Sequence, residues 1–328
     1  MIERDIEKYI CIECGQGGLS IERAKEDAEY GHIIDGVIRC SNCGEIFHVS
    51  CGIPRFASGA NYADSFGYQW NIHAKTQLDS YTGKPISRNR LFSVTGWPEN
   101  LEGQTILEAG SGAGRFTEIL LSTGAEVFSF DYSSAVEANW SNNGHFPNLH
   151  LFQGDIYKIP LKERSFDKVI CLGVLQHTPD PEKAFRNLVR YLKPGGQIVI
   201  DIYRKDLISL LQWKYFLRPI TRRLDKKFLY RLIEVIVPVI LPVAAFFRYF
   251  LGRVGARIFP ITEYSHLGLP SELNKQWAIL DTFDMYSPAY DRPQTVTAVE
   301  RWFKDARLVD ISVCRGTNGI IGKGYYPK

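Results

Sequence analysis

Apolar residues fall into five short runs through the middle of the chain: ILEA (106–109), VFSFD (127–131), LHLF (149–152), VICL (169–172) and QIVIDIY (197–203). Runs of this length, rich in β-branched and aromatic residues and closed by glycine, aspartate or proline, predict buried strands. The segments between them carry the spacing of helices. Strands alternating with helices predict a parallel sheet wound on both faces. Further on, TVTAVERWFKDA sets Val296, Val299, Trp302 and Phe303 on one helical face. LVDISVCRG and GIIGKGYYP then read as two strands joined around Gly316–Gly319.

Three segments lie outside this alternation. Residues 57–98, with the aromatic and amide-rich stretch 61–83, predict a helical cap ahead of the first strand. Residues 276–295 read as a polar–aromatic loop before the last helix. Residues 204–270 predict a helical insertion in which Pro219, Pro238 and Pro242 break the helices. Its longest uninterrupted apolar run, Val235 to Phe247, has 13 residues, short of the roughly 20 that cross a bilayer. No spanning helix is expected from it.

Composition changes the picture in one place. The chain of 328 residues carries a formal charge of +3, which does not call for a nucleic-acid partner. Between Tyr203 and Phe259, however, 12 Lys and Arg stand against 3 Asp and Glu. Such a basic, apolar insertion predicts a lid that also touches an anionic membrane surface or an anionic, nucleotide-linked or lipid-linked acceptor. The charged N-terminus, MIERDIEKYI, has no apolar leader. The expected setting is cytoplasmic, with a peripheral position at the inner membrane face.

The glycines after the first run, Gly110, Gly112 and Gly114, raise a choice of ligand. A phosphate-cradling loop needs Lys followed by Ser or Thr, and Arg115-Phe116 stand there instead. A dinucleotide fingerprint needs G-x-G-x-x-G, and Arg115 occupies the place of its last glycine. Glu108, two places before the first glycine, suits a ligand with an amino group, as S-adenosylmethionine (SAM) has. Asp131 ends the second strand, where a carboxylate can accept from ribose hydroxyls. Asp155 ends the third, within reach of an adenine amino group. Arg115 itself reads as a solvated helix residue.

Cys11-x-x-Cys14-Gly15 and Cys40-x-x-Cys43-Gly44 are two thiol pairs, each followed by glycine. Four thiolates in this pattern predict a tetrahedral structural zinc (Zn2+) and a reducing compartment. His48 and Cys51 read as packing residues. The stretch GVIRCSNCGEIFHVSCGIPRF resembles the second half of small zinc-ribbon proteins that act as methyltransferase activators, through Cys40, Cys43, Gly44, Phe47, Gly52, Ile53 and Pro54.

The ordered set E-x-G-S-G-x-G, F-D, G-D, V-L-x-H-x-x-D-P and L-K-P-G-G, over roughly residues 100–203, resembles the class I SAM-dependent methyltransferases of the small-molecule branch. The resemblance implies an α/β fold: a Rossmann-like, doubly wound, mostly parallel sheet of about seven strands, here with an N-terminal zinc ribbon (1–56), the cap (57–98), and a methyltransferase domain (99–328) holding the helical insertion. It implies that Glu108, Gly110 and Gly112 line the methionine end of SAM and Asp131 its ribose. Asp155 and Ile156 would bracket adenine, and Leu172 and Gly173 would floor the sulfonium. Tyr68, Trp70 and Gln77 of the cap are expected over the methionine end. His177 is the expected general base, with Gln176 beside it at the mouth. Trp277, Asp281, Asp284, Tyr286, Tyr290 and Arg292 are expected to face the acceptor. That segment resembles one in bacterial methyltransferases of glycan assembly.

The expected activity is methyl transfer to a hydroxyl or amine of a small molecule, a sugar or glycan precursor. Two other classes stay open. One is an RNA methyltransferase, against which the acidic flanks of the ribbon argue. The other is a non-catalytic SAM-binding regulator whose ribbon recruits a protein partner.

Overall fold

The computed structural model describes residues 3–26, 33–57, 61–206 and 212–328. Seven strands form the core sheet: β5 (Thr105–Ala109), β6 (Glu126–Asp131), β7 (Leu149–Gln153), β8 (Phe166–Leu172), β9 (Leu192–Ile202), β10 (Val309–Arg315) and β11 (Ile320–Tyr325). Their spatial order is β7-β6-β5-β8-β9-β11-β10. Neighbours from β7 to β9 pair in parallel, and β11 runs antiparallel to both β9 and β10. The expected α/β fold with its mostly parallel, doubly wound sheet is what the chain adopts. Strand order reverses between β5 and β8, and in such sheets the crevice past the strand ends at that point holds the ligand.

Alternation along the strands feeds two cores. Ile106 and Val127 point to one face, under α3 (Ile86–Thr95), α4 (Arg115–Leu121) and α5 (Ala135–Asn143). Leu107 and Phe128 point to the other, under α6 (Pro181–Val189) and α10 (Val296–Asp305). On α10, Val299, Trp302 and Phe303 are buried and Val296 partly so, as the spacing predicted.

The ribbon extends this sheet. Strands β1 (Leu19–Glu26), β2 (Ile33–Cys40), β3 (Ile46–Ser50) and β4 (Ile53–Arg55) form an antiparallel meander. Its last strand pairs in parallel with β7 through Arg55 and Gln153, so one sheet holds 11 strands. Two more backbone bonds seal the seam: Phe56 N–H donates to the Gln153 carbonyl (2.8 Å) and Ile10 N–H to that of Pro160 (3.0 Å). Aromatic rings cross it too, with Phe56 5.4 Å from Tyr9 and 6.2 Å from Phe152.

The cap is helical, as expected, in α1 (Asp64–Ile72) and α2 (Asp79–Thr82). Two expectations about the outer segments fail. The first concerns the prolines of the insertion. Helix α7 (Trp213–Thr221) contains Pro219, and α8 (Lys226–Ala256) runs through Pro238 and Pro242. The departure from helical geometry comes later, at Gly252 (φ 58°, ψ −137°). Between Phe228 and Leu251 the charges are Arg231, Glu234 and Arg248 alone. Lys226–Gly252 is therefore long and apolar enough to cross a membrane by length and composition. The second concerns residues 276–286, which are helix and not loop, within α9 (Ser271–Tyr286). Its apolar side, Ala278, Ile279 and Phe283, packs on Leu229, Tyr230, Ile233, Val237, Leu241 and Ala244 of α8. Burial of both faces decides helix here over the local polar composition.

Candidate active site

The loop after β5 turns through Gly110 at φ 79°. A Cβ there would lie 2.3 Å from the Val174 side chain, so no larger residue fits. The N–H groups of Gly110 and Ser111 both donate to the Phe130 carbonyl, at 2.8 and 3.0 Å. Asp131 locks the next residue: its Oδ2 accepts from Gly112 N–H at 2.9 Å. Its Oδ1 accepts from the N–H and hydroxyl of Ser133, at 2.9 and 2.7 Å. A carboxylate has about four acceptor positions, so Oδ2 keeps one for a ligand. Burial pushes the Asp131 carboxyl above its usual range.

These residues help line a cavity of about 780 Å³ at the switch point. Gly110, Gly112, Asp131, Ile156, Leu172, Gly173, Trp70, Gln77, His177, Trp277 and Asp284 all line it, as do Asp281 and Arg115. At Gly173 (φ 74°) an added Cβ would meet nothing closer than 3.8 Å, which leaves an open cradle at the floor. Ser111 also lines the cavity, and its buried hydroxyl has no partner.

Other expected residues lie elsewhere. Glu108 is buried below the glycine loop, where Thr117 and Ser129 hydroxyls donate to its Oε2 at 2.6 and 2.7 Å. Burial pushes its carboxyl up to about 7. Asp155 caps its own turn, accepting from Tyr157 N–H at 2.9 Å. Tyr68 turns outward and packs on Tyr230 and Phe283. Tyr286 sits in the same outer core and donates to the Pro260 carbonyl at 2.9 Å. Gln176 is fully buried with both side-chain polar atoms unpartnered, and its carbonyl accepts from Arg292 N–H at 2.8 Å. Tyr290 supports the site through its backbone, and the Arg292 guanidinium lies 5.4 Å from its ring.

His177 lines the same cavity. Its Nδ1 lies 3.0 Å from the Tyr290 carbonyl, which can only accept, so Nδ1 carries the proton and Nε2 the lone pair. Phe66 and Tyr203 rings flank it at 5.0 and 5.5 Å. Burial pushes the imidazole down to about 4, so it is neutral near pH 7.

The rest of the lining is polar and densely charged. Asp281 accepts from Gln77 at 3.2 Å and from the Tyr264 hydroxyl; Asp284 accepts from Gln69 at 3.3 Å. Burial pushes both carboxyls up to about 6. Asp291 takes Lys214 at 2.9 Å and Arg218 at 2.6 Å, all three buried side chains. Arg90 pairs with buried Asp201 at 2.7 Å. Arg115, expected in solvent, donates to Ser87 at 3.1 Å and to Gln77, 5.6 Å from the Trp277 ring. Sequence reasoning missed Arg90, Asp201, Lys214, Arg218, Asp291 and Tyr203. A signal existed for Asp201, an acid inside the apolar run QIVIDIY.

Away from the cavity, the Sγ atoms of Cys11, Cys14, Cys40 and Cys43 lie within 4.8 Å of one another. Two matching turns aim them: Gly15 N–H donates to the Cys11 carbonyl and Gly44 N–H to that of Cys40, each at 2.9 Å. Cys11–Cys43 and Cys14–Cys40 sulfurs are 3.6 and 3.7 Å apart. Four 2.3 Å bonds to one tetrahedral ion would set them about 3.8 Å apart.

Residues 107–200 match the family model described as a methyltransferase domain. The ubiquinone biosynthesis O-methyltransferase of Alkalilimnicola ehrlichii is 29% identical over 162 residues, 41% of this chain and 63% of that one. The phosphoethanolamine N-methyltransferase of Triticum aestivum is 33% identical over 102 residues, 30% of this chain and 20% of that one. The chain spans about half the length of the curated relatives it matches. Among solved structures, a complex holding the Haloferax volcanii Trm112 methyltransferase activator is 15% identical with a TM-score of 0.48, covering 81% of this chain and 99% of that one. A SAM-dependent methyltransferase from Aquifex aeolicus is 16% identical with a TM-score of 0.38, covering 73% and 88%. The family model thus indicates a methyltransferase domain over residues 107–200.

Proposed function

We propose that the chain transfers a methyl group from SAM to a hydroxyl or amine of a small polar acceptor of the sugar or glycan-precursor class. The observation that carries this reading is one cavity lined together by the glycine loop and Asp131, by neutral His177 and by the buried carboxylates of Asp281 and Asp284.

Gly110, Ser111 and Gly112 would hold the methionine arm of SAM, with Trp70 and Gln77 of the cap over it. The unpartnered Ser111 hydroxyl is a donor suited to that arm's carboxylate. Asp131 would take a ribose hydroxyl on its remaining Oδ2 position. Ile156 would cover one adenine face, with Asp155 at the edge. Leu172 and Gly173 would floor the sulfonium, where the open cradle lies. When bound, SAM supplies an electrophilic methyl carbon.

Positioning carries much of such a displacement. Trp277 would stack on an acceptor ring, and Asp281 and Asp284, ionised above about pH 6, would accept from its hydroxyls. His177 Nε2 would take the proton as the acceptor oxygen or nitrogen forms its new bond. Its Nδ1–H, held by Tyr290, keeps Nε2 unprotonated and ready.

Cys11, Cys14, Cys40 and Cys43 would bind one structural Zn2+, since four converging thiols leave no open position for catalysis. The ribbon then serves its own chain as a strut on β7. Arg55 donates to Gln153 Oε1 at 3.1 Å, and Gln153 Nε2 donates to the Tyr132 carbonyl at 3.0 Å, one residue from Asp131. That edge is engaged within the chain, so any protein partner of the ribbon would dock elsewhere on it. The proposed compartment is the cytoplasm, where thiols stay reduced.

The test is incubation with methyl-labelled SAM and lysate separated into RNA, protein, lipid and small-molecule pools. Label in the small-molecule or lipid pool, lost with His177→Ala, supports the reading. Label confined to RNA or protein, or none with SAM bound, overturns it.

A further inference from the structure

Helix α8 is apolar on both sides, and the protein covers one of them. Leu229, Ile233, Val237, Leu241 and Ala244 pack against α9. On the opposite side Phe228, Leu232, Val235, Val239, Phe246 and Phe250 recur at helical steps of 4, 3, 4, 7 and 4, all exposed. Val239 is 72% exposed and Tyr249, near the end of the stripe, 84%. Trp213, Phe216 and Ile220 of α7 are exposed as well. A stripe of this length exceeds what monomeric soluble proteins leave open to water without a use for it.

Charge identifies what covers it. Arg222, Arg223, Lys227, Arg231 and Arg257 are exposed around the stripe, against exposed Asp225 and Glu234. In a two-fold pairing of two such faces, these cations would confront one another with few acids between them. An anionic bilayer offers both what the stripe needs and what the cations need. We propose that α8 docks on an anionic membrane with its axis in the plane of the surface, its apolar stripe among the acyl chains and its basic rim on the phosphates.

The helix lies on the membrane and does not cross it, because it is fastened to the body along its length. Lys226 pairs with Asp64 at 3.2 Å near its start. The Tyr230 hydroxyl lies 2.9 Å from His73 Nε2. Arg248 pairs with fully buried Glu263 at 3.2 Å toward its end. Crossing would tear all three away and leave a buried carboxylate unpaired.

Docking also bears on the acceptor. The same insertion supplies Lys214, Arg218, Arg257 and Tyr264 to the cavity wall. The segment that docks thus also walls the cavity, which fits an acceptor carried on a lipid. This last step rests on the methyltransferase reading; the docking does not.

Flotation with phosphatidylcholine vesicles, with and without about a third phosphatidylglycerol, tests the proposal. About tenfold or more protein should float with the anionic vesicles, and about 0.5 M salt should release much of it. The double variant Val239→Glu, Phe246→Glu should stop floating while keeping its melting temperature and its affinity for S-adenosylhomocysteine. Equal recovery from neutral and anionic vesicles, or none from either, overturns the docking. So does a wild-type dimer that the variant turns into a monomer, since a second copy then covers the stripe. Retention in cell membranes through an alkaline carbonate wash overturns it in favour of crossing. Calorimetry with S-adenosylhomocysteine separates the two readings: lost affinity in the wild type sinks methyl transfer from SAM and leaves the flotation result standing.

Discussion

Asp131 Oδ2 accepts the backbone N–H of Gly112 at 2.9 Å, which joins the end of one strand to the loop that leaves its neighbour. The carboxylate shapes the glycine loop and, in the proposed function, also meets the ligand. Asp131→Ala removes both. A hydrogen bond to a charged group contributes about 1.5–3 kcal/mol, so affinity for SAM and S-adenosylhomocysteine should fall by roughly tenfold to a hundredfold. Asp131→Asn keeps an acceptor for Gly112 and should lose less. Calorimetry checks both, and an unchanged affinity in the alanine variant removes Asp131 from the site.

Metal should support the whole chain, not the ribbon alone. The ribbon shares a sheet with the core through Arg55–Gln153, and its aromatic core continues from Phe47 and Phe56 into Phe152 and Phe130. Backbone N–H groups, that of Cys43 foremost, hold the Cys40 thiol down at about 6, ready for a cation. One zinc per chain is expected by metal analysis. Cys40→Ser or chelation should lower the melting temperature of a single, undivided transition. A separate early transition of the N-terminus would show that the seam does not couple the two parts.

His177→Ala should lower kcat by about 10²–10⁴-fold, the range for loss of a general base, with S-adenosylhomocysteine affinity nearly unchanged. Equal loss of affinity would instead make His177 a support for the cavity floor. The pH profile adds a second check. Asp281 and Asp284 titrate at about 6 and His177 at about 4. Activity should fall as pH drops through about 6, where the carboxylates take protons, before the imidazole can.

The core was legible in the sequence because its signals are local. Each strand is an apolar run with a turn residue at its end, and Asp131, Gly110 and Gly173 sit at those ends. The charged part of the cavity lining was less legible, since long-range packing assembles it. Asp291 lies opposite Lys214 and Arg218 only because α7 folds back beneath the chain that follows α9. Glu108 read as a ligand-facing acid from its place before the glycines. Strand alternation sends its side chain instead toward Thr117 and Ser129. Prolines misled at α8, where burial of one face on α9 outweighs the hydrogen bonds that Pro238 and Pro242 cannot make.

The last prediction turns on Asp284. An aspartate ordinarily titrates near 3.8, and burial raises this one to about 6 in the folded chain. The folded state thus binds its proton more tightly than the unfolded state. Its contribution to stability is full below about 3.8 and is lost as pH rises through about 6, where folding must bury the charge. Asp284→Asn removes the charge and keeps an oxygen to accept from Gln69. The variant should gain stability, on the order of 3 kcal/mol above pH 7, and gain little at pH 4. The same change should weaken acceptor binding, because the ionised oxygen proposed to receive acceptor hydroxyls is gone. Melting curves at pH 4 and pH 8, with KM for the acceptor at pH 8, measure both sides. A variant less stable than wild type at pH 8 would mean that Lys214 and Arg218 nearby already offset the burial cost. Gained stability with unchanged KM would take Asp284 out of acceptor binding.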